Sequence, residues 1–247
     1  MKLLDSTLPS PEENLACDEA LLDFYEEHGT GGVLRFWEPQ NYFVVVGYGN
    51  HVASEVNIAA CEADGIPILR RCSGGGTVLQ GQGCLNYSLI LKIEETGPLA
   101  TISTANKFIM ERNRAALESK FKIQNSKFKT AGHTDLVIES GPGNTRKFSG
   151  NSQRRKKHFL LFHGTFLMNF NIALVEKYLR MPSKEPAYRA GRSHANFLTN
   201  LDSSPDTVKQ ALRNSWKAAD ALEKLPQDAL ALLVRDKYVT KEWNFKF

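Results

Sequence analysis

The chain has 247 residues, 42% of them apolar and 23% charged, a balance that supports one large folded domain and excludes a disordered or low-complexity protein. No run of about 20 apolar residues is present to span a bilayer. The N-terminus MKLLDSTLPSPEEN has neither an apolar signal core nor an Arg-rich amphipathic pattern, so a cytoplasmic location is expected. The net charge of +4 permits an anionic ligand or an acidic partner without demanding nucleic acid.

In chain order, SPEENLACDEALLDFYEEHG carries a helix start: Ser10 as N-cap, Pro11 at the first position and Glu13 completing a capping box, with Gly29 closing the helix. VLRFW and YFVVVGYG are rich in β-branched and aromatic residues and are separated by the turn-like EPQN, which predicts neighbouring antiparallel strands. EVNIAACEAD reads as a short helix ended by Gly65, followed by the strand IPILRR, a glycine triplet and the strand LNYSLILKI. TISTANKFIMERNRAALESKF spaces Ile102, Ala105, Phe108, Ile109, Ala116 and Leu117 at helical period. DLVIES, RKFSGNSQ and HFLLFHGTFLMNF are further strands, and SPDTVKQALRNSWKAADALEKL and PQDALALLVRDKY are helical. Without βαβ alternation the pattern is α+β, a mostly antiparallel or mixed sheet flanked by helices.

Two stretches carry chemistry. In RRCSGGGTV, three glycines let backbone amides approach a ligand closely and form an anion-binding concavity, to which Arg70 and Arg71 can add charge and bidentate geometry. The plainer alternative is a glycine-rich hairpin with solvated arginines. No Gly-Lys-Ser/Thr follows, so this is not a Walker A loop, and a strand rather than a helix comes next, so it is not a Rossmann fingerprint. In RKFSGNSQ, Lys147 is followed by the small residues Ser149 and Gly150, which leave space for a flexible ammonium; the alternative is a surface lysine on an edge strand. Arg154 to Lys157 reads as a solvated charged loop, with no aromatic interleaving to make it a nucleic-acid patch. Cys17, Cys61, Cys72 and Cys84 form no C-x-x-C pair and read as reduced thiols, neither a zinc site nor a disulfide framework.

These motifs together resemble the lipoate-protein ligase family. RRCSGGGTV, which holds Arg70, Arg71, Ser73, Gly74, Gly75, Gly76, Thr77 and Val78, resembles its R-R-x-S-G-G-G-x-V motif, and GCLNYSLI with Asn86 resembles the strand that follows. HTDLVIE with Asp135, RKFSGNSQ with Lys147, Ser149 and Gly150, and FHGTFLMN with His163 and Gly164 are similar to three further family strands. NLACDEALL, LRFWEP and KYVTKEWNF extend the likeness over nearly the whole chain. The chain departs from the family where it reads VLQGQG, with Gln80 and Gly81 in place of a histidine and an aspartate, and where His133 and Thr134 precede Asp135 in place of an asparagine.

The resemblance implies a biotin/lipoate ligase-like catalytic domain over residues 1–247 without the family's C-terminal accessory domain. It implies an enzyme that activates lipoate or octanoate with ATP and Mg2+ and passes the acyl group to a lysine of an acidic lipoyl domain, aided by a small separate accessory protein. Lys147 would contact the acyl carbonyl and phosphate oxygens, and Gly74 to Gly76 would hold the acyl-adenylate. Nucleic acid and membrane are not expected as partners. A second implied reading is an acyltransferase with a cysteine nucleophile. The two places where related transferases carry that cysteine, before GHTDL and at LLF, hold none here. A third is a non-catalytic lipoyl-protein-binding domain.

Overall fold

The structure, a computed structural model, describes residues 1–121, 126–141 and 143–247. Its strands are β1 (Lys2–Asp5), β2 (Val33–Trp37), β3 (Phe43–Val46), β4 (Ile68–Arg70), β5 (Val78–Gln80), β6 (Cys84–Lys92), β7 (Lys127–Ala131), β8 (Asp135–Glu139), β9 (Thr145–Arg155), β10 (Phe159–Leu167) and β11 (Asp220–Ala221). The helices are α1 (Pro11–His28), α2 (Val52–Glu55), α3 (Ile58–Ala63), α4 (Ile102–Lys120), α5 (Ala173–Tyr178), α6 (His194–Phe197), α7 (Pro205–Trp216), α8 (Gln227–Leu233) and α9 (Lys241–Asn244). Among the described residues there are two sheets. The larger has the order β11, β1, β2, β6, β10, β9, β8, β7, and the smaller has β3 between β4 and β5. Strand β1 runs parallel to β2 and β11, and β3 parallel to β4; the other pairs are antiparallel, so the α+β, mixed-sheet expectation holds.

Alternation along β6 and β10 decides where the site lies. Leu85, Tyr87, Leu89, Leu160, Phe162 and Phe166 form one face and pack in a core with α4 and α7. The opposite face carries Asn86, Ser88, His163 and Thr165, polar residues that a sheet buried on both sides would not otherwise hold. The small sheet, α1 and the chain between α5 and α7 cover this second face.

Helix α1 begins as expected, with reciprocal Ser10 and Glu13 capping bonds and Pro11 in the first turn. The antiparallel β2/β3 pair does not form. Strand β2 pairs with β1 and β6, while β3 belongs to the small sheet. Both are buried along their whole length, so neither has a solvent face to fix its partner, and Glu38–Tyr42 serves as a crossing between sheets rather than a hairpin turn. Ile102, placed on the buried stripe of α4 by its spacing, is 58% exposed. The expected helix after Pro205 stops at Trp216, where Lys217 takes a left-handed φ of 52°, and Asp220–Ala221 adds a strand beside β1 instead. No helix among the described residues is long and apolar enough to cross a membrane.

Arg70 joins regions far apart in sequence. It is fully buried, and its guanidinium donates to the carbonyls of Gly47, Tyr48, Asn50, Trp243 and Asn244 at 2.8–3.2 Å. Removing it would leave those carbonyls unpartnered, each at a cost of about 1 kcal/mol or more. Arg70→Leu should therefore lower unfolding stability by about 3–5 kcal/mol, the scale for losing one member of a buried charge network. Urea denaturation measures this, and an unchanged midpoint would refute the anchoring role.

Candidate functional site

Between the polar face of the large sheet, the glycine loop and the α5–α7 segment lies a cavity of about 530 Å3, within the range of small-molecule sites. Its walls include Arg71, Gly75, Gly76, Thr77, Val78 and Asn86 from the first half of the chain. They also include Asp135, Lys147, Ser149, Gly150, His163 and Gly164 from the second. Folding thus brings together most of the residues singled out from the sequence. Arg70 is the exception, spent on the carbonyls named above. Ser73 and Gly74 stand behind the wall: Ser73 Oγ is 2.5 Å from His163 Nε2, and Gly74 O accepts from Arg71 and Ser152.

The glycine loop is held from within. The Arg71 guanidinium donates to Gly74 O at 2.6 Å, Gly76 O at 2.7 Å and Ser73 Oγ at 3.1 Å, so its fork grips the loop rather than projecting freely. Neither arginine is solvated, which overturns the plainer hairpin alternative. Burial pulls the Arg71 pKa down to about 10, which leaves the group charged at neutral pH. With the loop carbonyls turned onto Arg71, the amides of Gly75 and Gly76 have no acceptor among the described residues. Gly75 has a φ of +86°, and a Cβ there would stand 3.0 Å from Arg71 Nη2, so glycine is required. A Cβ on Gly76 would meet nothing within 4 Å.

Lys147 is aimed by a bulge. In the β8–β9 ladder Leu136 faces Ser149 but Val137 faces Lys147, so Phe148 is the extra residue. The Lys147 ammonium lies 2.8 Å from Asp135 Oδ1. It also overhangs Gly150, where a Cβ would come within 2.7 Å of Nζ. Gly164 has a different use, leaving room for the Asn151 amide, which would collide with a Cβ there.

His163 sits between Ser73 and Asp18, with Nδ1 3.7 Å from Asp18 Oδ2. Asp18 itself bonds Arg35 at 2.6 Å and Ser88 at 2.9 Å. Burial pushes the His163 pKa down to about 4, outweighing the pull of Asp18, and the Arg71 charge adds to the depression. The ring is neutral at pH 7. At the two departures from the family pattern, Gln80 donates to Thr165 Oγ1 at 2.6 Å and accepts from Asn86 at 3.0 Å, while Thr134 exchanges hydrogen bonds with Asn151. The apolar part of the wall is supplied by Leu79, Leu167, Phe170, Val175 and Leu179, which share one hydrophobic cluster. Sequence reasoning missed Asp18, Thr165, Arg180 and Arg189 as wall residues. Asp18 had a weak signal, an acid that together with Glu19 interrupts the apolar run of ACDEALL; Arg180 and Arg189, between α5 and α6, had none.

Residues 10–217 match the model of the lipoyl protein ligase A/B catalytic domain. The chain belongs to this family. It is 28% identical to the octanoyltransferase LipM of Brevibacillus brevis, over 96% of this chain and 95% of that one. It is 29% identical to the probable lipoate-protein ligase A of Mycoplasma genitalium, over 98% of this chain and 71% of that one. Its fold matches a bipartite lipoate protein ligase of Thermoplasma acidophilum, described with its E2 lipoyl domain, at a TM-score of 0.81, with 23% identity over 99% of this chain and 95% of that one. The domain is therefore an enzyme fold of the lipoate ligase and octanoyltransferase family.

The histidine gives this site a pH signature. Between its ordinary value of 6.5 and its folded value of about 4, the unfolded chain binds a proton that the folded chain refuses. Stability contributed above pH 6.5 is therefore lost as the pH falls through this window, by about 3 kcal/mol. His163→Gln should lose less stability than the parent between pH 7 and pH 4 in denaturant titrations. Equal losses would disprove the assignment.

Proposed function

We propose that this chain is an ATP-dependent lipoate-protein ligase, which converts lipoate or octanoate to an acyl-adenylate and transfers the acyl group to a lysine of a lipoyl domain. The observation that carries this reading is a cavity with a lysine ammonium on its wall and no thiol among its described lining residues. Bringing a carboxylate to a triphosphate requires cations and backbone donors that offset like-charge repulsion. Lys147, the unpaired amides of Gly75 and Gly76, and the wall residues Arg180, Lys184 and Arg189 supply such groups. The aliphatic chain of the acid suits the Leu79, Phe170 and Leu179 side of the cavity. In this reading Lys147 neutralises charge developing on the acyl and phosphate oxygens.

ATP fits the equipment of the wall. Among the described residues no group of three His, Cys, Asp or Glu side chains is arranged to hold a metal ion, so Mg2+ would be held chiefly by the nucleotide's phosphate oxygens and water. It would supply charge neutralisation of the leaving pyrophosphate. The acceptor in this reading is an acidic lipoyl domain, and a small separate accessory protein completes the site, an arrangement supported by the bipartite ligase of similar fold.

A second reading, octanoyl transfer from a thioester, has in its favour the LipM relatives. By a covalent route it needs a thiolate in the cavity. Cys17, Cys61, Cys72 and Cys84 are all buried outside its lining. Burial raises their pKa values to about 11 for Cys17 and Cys61 and about 12 for Cys72 and Cys84.

The deciding experiment incubates the purified protein and a lipoyl domain either with lipoate and ATP or with an octanoyl thioester, and weighs the acceptor. The ligase reading expects modification that requires ATP, and no hydroxylamine-labile adduct on any cysteine. An acyl-cysteine would decide for the transferase. Lys147→Ala should fold and slow acyl transfer by about a hundredfold or more; near-parent turnover would remove Lys147 from the reaction. Gly76→Val adds atoms only to open cavity space, so it should keep its melting temperature yet bind an acyl-adenylate analogue at least about tenfold more weakly, ~1.4 kcal/mol. Undiminished affinity would separate the loop from the ligand.

A further inference from the structure

Asp135 is engaged on both oxygens. Oδ1 takes the Lys147 ammonium at 2.8 Å, and Oδ2 accepts a 2.7 Å hydrogen bond from the Tyr188 hydroxyl. Tyr188 lies outside the cavity lining, in a 3-10 turn (Ala187–Arg189) between α5 and α6, and its hydroxyl meets the site through this carboxylate.

Tyr188 is fixed by contacts of its own. Its ring lies 5.2 Å from that of Phe197. At the β7–β8 turn, Gly132 (φ +56°) brings the backbone so close that a Cβ would stand 3.4 Å from Tyr188 Cε1. The Tyr188 carbonyl accepts from Arg192 Nη2 at 2.8 Å, and the same guanidinium donates to Thr145 O at 2.7 Å. Burial, reinforced by the Asp135 charge, raises the phenol pKa, so the hydroxyl stays a donor.

An unrestrained carboxylate can turn either oxygen toward a cation, and a lysine on its four-carbon stem follows it through many rotamers. With Oδ2 tied to a fixed phenol, Asp135 presents Oδ1 alone, and the ammonium is confined to the space above Gly150. We infer that Tyr188 is a positioning residue for acyl transfer: acting only through Asp135, it sets the Lys147 ammonium over Gly150 and couples the α5–α7 segment to the reaction centre. The inference rests on the reading of Lys147 as the cation of the reaction.

The test is a double-mutant cycle. Acylation of a lipoyl domain is timed for the parent, Tyr188→Phe, Asp135→Asn and the double variant, with lipoate plus ATP and with an octanoyl thioester as alternative donors. Tyr188→Phe should lower kcat about 10- to 100-fold, the scale of misplacing a catalytic group by an ångström, while KM for the acyl donor stays within about twofold. Because Tyr188 acts through Asp135, the double variant should be no slower than Asp135→Asn. Lys147→Gln takes the place of Asp135→Asn in the cycle if that variant does not fold. Parent-like kcat in Tyr188→Phe, a loss confined to KM, or losses that multiply in the double variant would each overturn the inference. A parent that acylates with neither donor would instead overturn the functional reading, and the inference with it.

Discussion

Two neighbouring guanidinium groups, both buried and both committed to backbone carbonyls, are the constraint on which the rest of this molecule depends. An arginine inside a protein is costly unless its donors are matched. Here the matching carbonyls belong to stretches of chain with no ladder of their own. Arg70 gathers the turn after β3 and the C-terminal α9; Arg71, one residue on, gathers the glycine loop. Stretches far apart in sequence are thereby joined behind the glycine loop. Drawing the loop's oxygens inward also leaves the amides of Gly75 and Gly76 without acceptors among the described residues, an arrangement of the kind that consecutive amides use to form an anion-binding concavity.

The other wall is organised by charge at shorter range. A bulge turns Lys147 out of the strict alternation of β9, Asp135 receives it, and a phenol from the turn before α6 restrains Asp135. In the same cavity the partly buried His163 is kept neutral, so the positive charge of the lining is carried by its lysines and arginines. Preorganised cations and donors of this kind do their work without rearrangement at the moment of reaction.

Relatives of nearly equal similarity carry the names of an octanoyltransferase and of a lipoate-protein ligase, which is the expected situation for a fold that hosts more than one acyl-transfer chemistry. Both reactions need an apolar groove for an acyl tail and a cation at its carbonyl. They differ in what activates the acyl group, and that difference falls on a few side chains. In this chain the thiols are packed as small apolar groups in the cores, a disposition that total sequence identity does not register.

Local signals were legible without coordinates wherever the cause was local. The Ser10–Glu13 capping box, the period of α4, the need for glycine at Gly75 and the space beside Lys147 at Gly150 all follow from residues a few positions apart. The motif set also determined the family, because several spaced motifs in order restrict the answer far more than any one. Other features depended on partners distant in sequence, and these only the tertiary structure decided. Sequence adjacency made Arg70 and Arg71 look equivalent, yet one is bound 174 positions away by Asn244 and the other within its own loop. Two fully buried strands, β2 and β3, carried no polar face to choose a neighbour. Tyr188 carried no signal in the sequence, because its hydrogen bond to Asp135 spans 53 residues and exists only once the chain has folded across the site.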